Sequence, residues 1–246
     1  LTRILQDDPE LSGIGCVIFD EFHERSLNAD LGLALCLEVR AALRPDLKLL
    51  VMSATLDAGP VAELVGAELI TAAGQSFPVE VRYLPPAPVR GRKPHLDMQV
   101  AGAIQEILAQ TTGGVLVFLP GEGEIRRVMA RLNGAAHGVE ILPFYGALPF
   151  AEQRRALAPV KGRKLVLATA IAETSVTIPD IEVVVDAGLA RRARYDAGSG
   201  MTRLLTERVS RAEATQRQGR AGRVAPGVCY RLWGAGEDGA LAAFAP

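Results

Sequence analysis

Aromatic side chains are scarce in this 246-residue chain, at 5% of positions. A site built on stacked rings is therefore not expected. A nucleic-acid ligand would be held through its sugar-phosphate backbone, with little sequence preference. Cysteine is equally thin: Cys16, Cys36 and Cys229 lie far apart, without metal-ligand spacing. That argues against a disulfide framework and fits a reduced, cytoplasmic setting. No apolar run approaches the roughly 20 residues of a membrane span, and the opening residues do not read as a signal peptide. Internal repeats and low-complexity tracts are missing too. Neither sign of charge dominates, since 27 Lys and Arg against 28 Asp and Glu leave a net charge of -1. Charged partners must be sought in local clusters.

What is present is an ordinary globular composition, 49% hydrophobic and 22% charged, long enough for one or two domains. "LTRILQDDPEL" at the start reads as the middle of a helix, and "LAAFAP" stops as another element begins. The chain is expected to be a piece of a longer protein. "GCVIF" and "LKLLVM" are short apolar runs, and "LNADLGLALCLEVRAAL" between them has helical spacing. This is the strand-helix-strand unit of a parallel sheet covered by helices. "FPVEVRYLPPAPVRGRKPHL" then brings five prolines and no helical period, marking a strand-like "VEVRYL" and a connector. Alternation resumes with strands at "GVLVFLP", "VEILPFY", "KLVLAT", "EVVVDAG" and "GVCYRLW". Helices are predicted at "EGEIRRVMARLNG", "PFAEQRRALAPV" and "SRAEATQRQGRAG", the last opened by Ser210.

Three places carry chemistry. Asp20 and Glu21 follow the strand "CVIF", and ligands of parallel α/β sheets bind beyond the carboxyl ends of strands. One carboxylate there can hold Mg²⁺ while the other orients or deprotonates an attacking water; the bland alternative is a polar turn with Asp20 as a helix cap. "SAT" at 53–55 follows the next strand, where small hydroxyls can bridge loops. "QRQGRAGR", from Gln216 to Arg223, puts two arginines three apart, as on one side of a helix, with glycines leaving room for close approach. Bidentate guanidinium groups suit phosphate oxygens and phosphoryl-transfer charge. From Ala190 to Arg223 there are nine arginines against Asp196, Glu207 and Glu213, the local basicity of a polyanion site.

Together these segments resemble a DEAH/RHA-type superfamily 2 helicase. "DEFH" resembles motif II, "SAT" motif III, "LVFLPGEGEI" the motif IV region, "LATAIAETSVTIPDIEVVVDAG" motif V and "QRQGRAGR" motif VI, in order along nearly the whole chain. The resemblance implies tandem RecA-like lobes, α/β with parallel sheets covered by helices, the first truncated and the second nearly complete. Residues 1–77 would end the first lobe, 78–233 form the second, and 234–246 begin a linker to a downstream domain. The implied activity is an ATP-dependent RNA helicase, a monomer moving 3′ to 5′ on single-stranded nucleic acid, with ATP and Mg²⁺ as cofactors and its ATP site in the cleft between lobes. By position, Asp20 would organise Mg²⁺, with Glu21 beside it activating water, and His23 would couple the nucleotide to the second lobe. Ser53 and Thr55 would link ATP state to domain movement, Thr169 would touch a nucleic-acid phosphate, and Ser175 would face the nucleotide. Gln216, Arg220 and Arg223 would reach the γ-phosphate.

Two departures stand out. The phosphate-binding loop G-x-x-x-x-G-K-[ST] occurs nowhere in the chain, so this polypeptide by itself is not expected to turn over ATP. Ala170 also stands where these helicases usually carry Asn. Two rival readings stay open: a non-catalytic nucleic-acid-binding fragment or degenerate paralogue, and a DNA or protein translocase built on the same lobes.

Overall fold

A computed structural model describes residues 1–22, 26–53, 58–72, 77–86, 94–134, 136–173 and 176–245. The chain divides into two compact units, Leu1–Ala73 and Gly74–Pro246.

In the first unit, α1 (Thr2–Asp7) precedes β1 (Cys16–Phe19), α2 (Leu27–Ala42), β2 (Lys48–Val51) and α3 (Gly59–Val65). β1 and β2 pair in parallel with Phe19 opposite Val51. Ser26 starts α2 because its hydroxyl accepts the Ala29 amide at 3.1 Å. Asp30 in the first turn and Arg40 in the last complement the helix dipole. The helix buries Leu33 and Cys36 against Phe19, Phe22 and Leu47. The left-handed Gly66, at φ 65, closes α3, a helix that the sequence pattern did not announce.

The second unit runs β3 (Val79–Tyr83), α4 (Leu96–Gln110), β4 (Gly114–Phe118), α5 (Glu122–Leu132), β5 (Val139–Phe144), α6 (Phe150–Leu157), β6 (Arg163–Ala168), β7 (Ile181–Asp186), β8 (Leu189–Asp196), β9 (Met201–Arg208), α7 (Arg211–Gln218) and β10 (Gly227–Arg231). Six of these strands form one parallel sheet in the order β3-β10-β7-β4-β6-β5. β4 is apolar throughout, and β6 and β7 carry apolar runs at Leu165–Ala168 and Val183–Val185, because both faces are covered. Val115, Val117, Leu165, Leu167, Val183 and Val185 point to one face, against Ile104 of α4 and Val128 of α5. Leu116, Phe118, Val166 and Val184 point to the other, with Ala156 of α6 and Ala221. The predicted α/β class, a parallel sheet covered by helices, is the one adopted. Phe118, Ala168 and Asp186 align at the carboxyl edge of the sheet.

Further features differ from the sequence reading. α4 occupies 96–110, where no helix was predicted. β8 and β9 form an antiparallel hairpin between β7 and α7. The predicted helix over 210–222 ends at Gln218. Its chain turns there to approach the start of β3: the Phe77 amide donates to the Gly222 carbonyl at 2.9 Å. A Cβ on Gly222 would lie 2.5 Å from the Phe77 oxygen, so close approach requires glycine and helix continuation is excluded. Residues 234–245, read as the start of a linker, pack back on this unit through a 3₁₀ segment, Ala235–Ala240. Leu241 is buried beside Trp233, Val209 and Ala214, and the Arg211 amide donates to the Ala242 carbonyl. Among the described residues no helix is long and apolar enough to cross a membrane.

Candidate functional site

In the first unit the site residues follow the carboxyl ends of β1 and β2. β1 ends at Phe19 because the next three residues turn sharply. Asp20 is exposed, and its Oδ1 accepts the Glu21 amide at 2.8 Å. Glu21 sits in the left-handed region at φ 50, which costs a side-chain-bearing residue conformational energy. Phe22 then returns to the core, its amide donating to the Met52 carbonyl at 3.0 Å and its ring edge-on to Phe19 at 6.2 Å. The two carboxylates are thus presented by a turn anchored on both sides, with the Asp20 carboxylate in a local hydrogen bond. Ser53, exposed, lies just beyond β2, after Met52. An exposed carboxylate of this kind fits Mg²⁺, which binds through one or two carboxylates and otherwise through water and phosphate. Among the described residues no three metal-ligating side chains cluster. His23 and Thr55 lie outside the described residues.

In the second unit the motif V residues follow the carboxyl edge of the sheet, whereas the motif VI turn lies by the starts of β3 and β10. Thr169, half-buried, follows β6, and its amide donates to the Phe144 carbonyl at 3.1 Å. A short 3₁₀ turn, Ala170–Ala172, leads to Glu173. Ala170 is exposed, so the side chain that replaces the family's usual Asn faces solvent. Ser175 lies outside the described residues.

The loop after this turn meets the motif VI segment. Arg220, buried, donates from Nη1 to the Val176 carbonyl at 2.6 Å. Arg223, exposed, donates from Nη1 to Thr177 Oγ1 at 2.7 Å. Gln216 is half-buried on α7. The two arginines therefore meet the motif V loop, and they do so from a turn beyond the helix, not from the one helical face that the sequence reading gave them.

Sequence reasoning passed over Arg217. It is wholly buried, and its guanidinium lies 5.0 Å above the Phe118 ring. Nε donates to Glu173 Oε1 at 2.6 Å, and Nη1 donates to Asp186 Oδ1 at 2.7 Å and to the Leu189 carbonyl at 3.2 Å. Burial opposes the Arg217 charge, but Asp186 and Glu173 outweigh it and hold the group protonated. One guanidinium serves two carboxylates, so burial pushes the Glu173 carboxyl up although Arg217 pulls it down.

The basic stretch is also less open than its composition suggested. Arg191 pairs with Glu124 at 3.3 Å, Arg194 with Glu207 at 2.9 Å, and Arg208 with Glu237 at 3.2 Å. Arg192 bridges Glu207 at 3.2 Å and also contacts Glu213, the residue that closes the Ser210 capping box of α7. Glu124 and Glu237 come from outside the stretch, and their contacts could not be counted from it.

Comparison with known proteins gives the family and the fold. The helicase conserved C-terminal domain family matches residues 99–225. The ATP-dependent RNA helicase HrpB of Escherichia coli is 54% identical over 236 residues, covering 94% of this chain and 29% of that protein. The pre-mRNA-splicing factor ATP-dependent RNA helicase prp22 of Schizosaccharomyces pombe is 41% identical over 238 residues, covering 92% of this chain and 20% of its own. The crystal structure of Escherichia coli DEAH/RHA helicase HrpB superposes with a TM-score of 0.91 at 50% identity, over 100% of this chain and 31% of that one. The chain thus spans less than a third of each of these relatives. It belongs to the helicase conserved C-terminal domain family, within the DEAH/RHA helicases.

Proposed function

We propose that the full-length protein is an ATP-dependent RNA helicase, a cytoplasmic monomer that moves 3′ to 5′ on single-stranded RNA. In this reading residues 1–77 end a first RecA-like domain, 78–233 form the second, and 234–246 lead toward a further domain. The observation that carries it is the joining of motif V to motif VI, with Arg220 and Arg223 anchored on Val176 and Thr177. Paired guanidinium groups steadied this way are suited to developing phosphoryl charge. Bound Mg²⁺ supplies charge neutralisation on the phosphates, and Asp20 is the residue to hold it. Glu21 orients the attacking water and takes its proton. Gln216 assists Arg220 and Arg223 at the γ-phosphate. Thr169 touches the nucleic-acid backbone, while Ser53 and Thr55 pass nucleotide state to the rest of the molecule; His23 and Ser175 act on the nucleotide.

The test is Glu21→Gln in the full-length protein. It keeps the side-chain shape and removes the base, so RNA-stimulated ATP hydrolysis should fall about 10²–10⁴-fold, with ATP and RNA binding largely kept. If turnover stays within about twofold of wild type, Glu21 is not the base. A wild-type protein that binds RNA without hydrolysing ATP is a binding module, and the enzyme reading falls.

A further inference from the structure

We infer that Arg217 is a positioning residue that ties the nucleic-acid loop, the root of the β8–β9 hairpin and the motif VI segment into one switching element. This rests on the helicase reading and adds to it a part that neither motif spacing nor the arginine pair supplies.

The argument starts from what Arg217 joins. Glu173 ends the short turn that begins at Thr169. Asp186 ends β7, and its Oδ1 also accepts the Gly188 amide at 2.8 Å, fixing the bend into β8. Gly188 is left-handed at φ 72, and a Cβ there would meet the Trp233 ring at 2.7 Å, so that bend has little freedom. Leu189, whose carbonyl also accepts from Arg217, is the first residue of β8. Arg217 itself lies between Gln216 and the turn holding Arg220 and Arg223. One planar guanidinium therefore contacts two segments leaving the carboxyl edge and ties them to α7, which carries it. A fork of fixed geometry can do this; a lysine ammonium, a point charge on a flexible stem, cannot.

Stability alone is a poor reason for the arrangement. The cluster buries one positive and two negative side chains, and it leaves Asp186 Oδ2 without a hydrogen-bond partner in the protein. Nη2 shares Glu173 Oε1 with Nε, at 2.5 Å, so one carboxylate oxygen serves two guanidinium nitrogens. Buried orphan atoms are costly, and well-packed apolar side chains often replace a buried ion pair without loss. An expensive, incompletely satisfied contact that spans three functional segments is what a positioning role requires. A contiguous bonded cluster also gives coupling a physical route between the RNA-facing loop and the arginines.

The experiment uses the full-length protein with a single-stranded oligouridylate as probe. Wild type, Arg217→Lys, Glu173→Gln and the double variant are compared by thermal melting, oligouridylate affinity, basal ATPase and ATPase titrated with the oligonucleotide. Arg217→Lys should lower maximal stimulation about fivefold or more, with affinity and basal rate moving far less. Glu173→Gln, which keeps an oxygen acceptor for Nε, should lose stimulation in the same direction, and the double variant should be no worse than Arg217→Lys alone. If Arg217→Lys does not fold, Glu173→Gln carries the comparison. Basal and stimulated rates that fall in proportion to the folded fraction overturn the inference, because a merely structural residue does that. Additive losses, or full stimulation in both variants, overturn it as well. A wild-type ATPase that ignores RNA overturns the helicase reading itself and the inference with it, so the two failures are told apart.

Discussion

Glu21 is the residue at which local energetics and chemistry pull in opposite directions. At φ 50 it occupies a region that costs an L side chain roughly 1–2 kcal/mol, and the turn holds it there through the Asp20 carboxylate and the Phe22 anchor. Such strain persists where the surroundings over-determine it, as they do at functional sites. Glu21→Gly should therefore be neutral or stabilising by up to about 1 kcal/mol in denaturant unfolding, while hydrolysis is lost with the carboxylate. A clear loss of stability would show that the Glu21 side chain contributes contacts outweighing the strain. At this scale the sequence located Asp20 and Glu21 beyond the end of β1, where the structure also has them, because the end of an apolar run is visible by position alone. Arg217 escaped for a physical reason. Its role depends on Glu173, Asp186 and Phe118, which lie 44, 31 and 99 positions away by numbering, and one-dimensional spacing cannot report such neighbours.

Elements were legible where one rule dominated. β4, β6 and β7 stand out as continuous apolar runs because both faces of a central parallel strand are buried, and α7 was located by its Ser210 cap. The end of α7 was not legible, because Gly219 and Gly222 can continue or stop a helix and the nearness of β3 decides. The β8–β9 hairpin was missed since its strands are rich in arginine and exposed leucine, with Leu204 at 68% and Leu205 at 46% exposure, so no buried face imposes alternation. The docking of the 3₁₀ tail was also invisible. Asp238 accepts from Tyr83 Oη, from Arg231 Nη1 at 2.5 Å and from Trp233 Nε1 at 2.6 Å. Burial pushes the Asp238 carboxyl up, but these bonds and the Arg231 charge outweigh it and hold it below the usual range. A folded value below the unfolded one adds stability above the unfolded value and loses it as pH falls through the folded one. The tail should therefore loosen on acidification below the ordinary carboxylate range, before the central strands do. Hydrogen exchange at the Arg211 and Ala212 amides reads this, and Asp238→Asn should abolish the acid step. An unchanged step in the variant would assign it to another group.

At the scale of the whole molecule the two units differ in how much core each can close. The second has a six-stranded sheet with helices on both faces and whole strands buried. Among the described residues the first has two paired strands with three α-helices, and Ile18, Leu50 and Met52 remain 57%, 46% and 41% exposed. Two strands alone are marginal, and small units bury a smaller share of their surface on folding. Local stability follows buried apolar contact, so cooperative units of unequal core should open at unequal free energies. For the 246-residue polypeptide this predicts stepwise unfolding, with the first unit melting first. Amides of β1 and β2 should exchange on a timescale set by that early step, while those of β4, β6 and β7 should persist to the second transition. The apolar exposure on the first unit also predicts dye binding between the two steps, when more of the Phe19, Phe22 and Leu33 core is released. A single transition with equal protection in β1 and β4 would defeat this ordering. Core-truncating Leu33→Ala, worth about 2–5 kcal/mol, gives the decisive control. It should lower only the first transition, because Leu33 packs within the first unit's own cluster, and a shift of both would show that the units unfold as one.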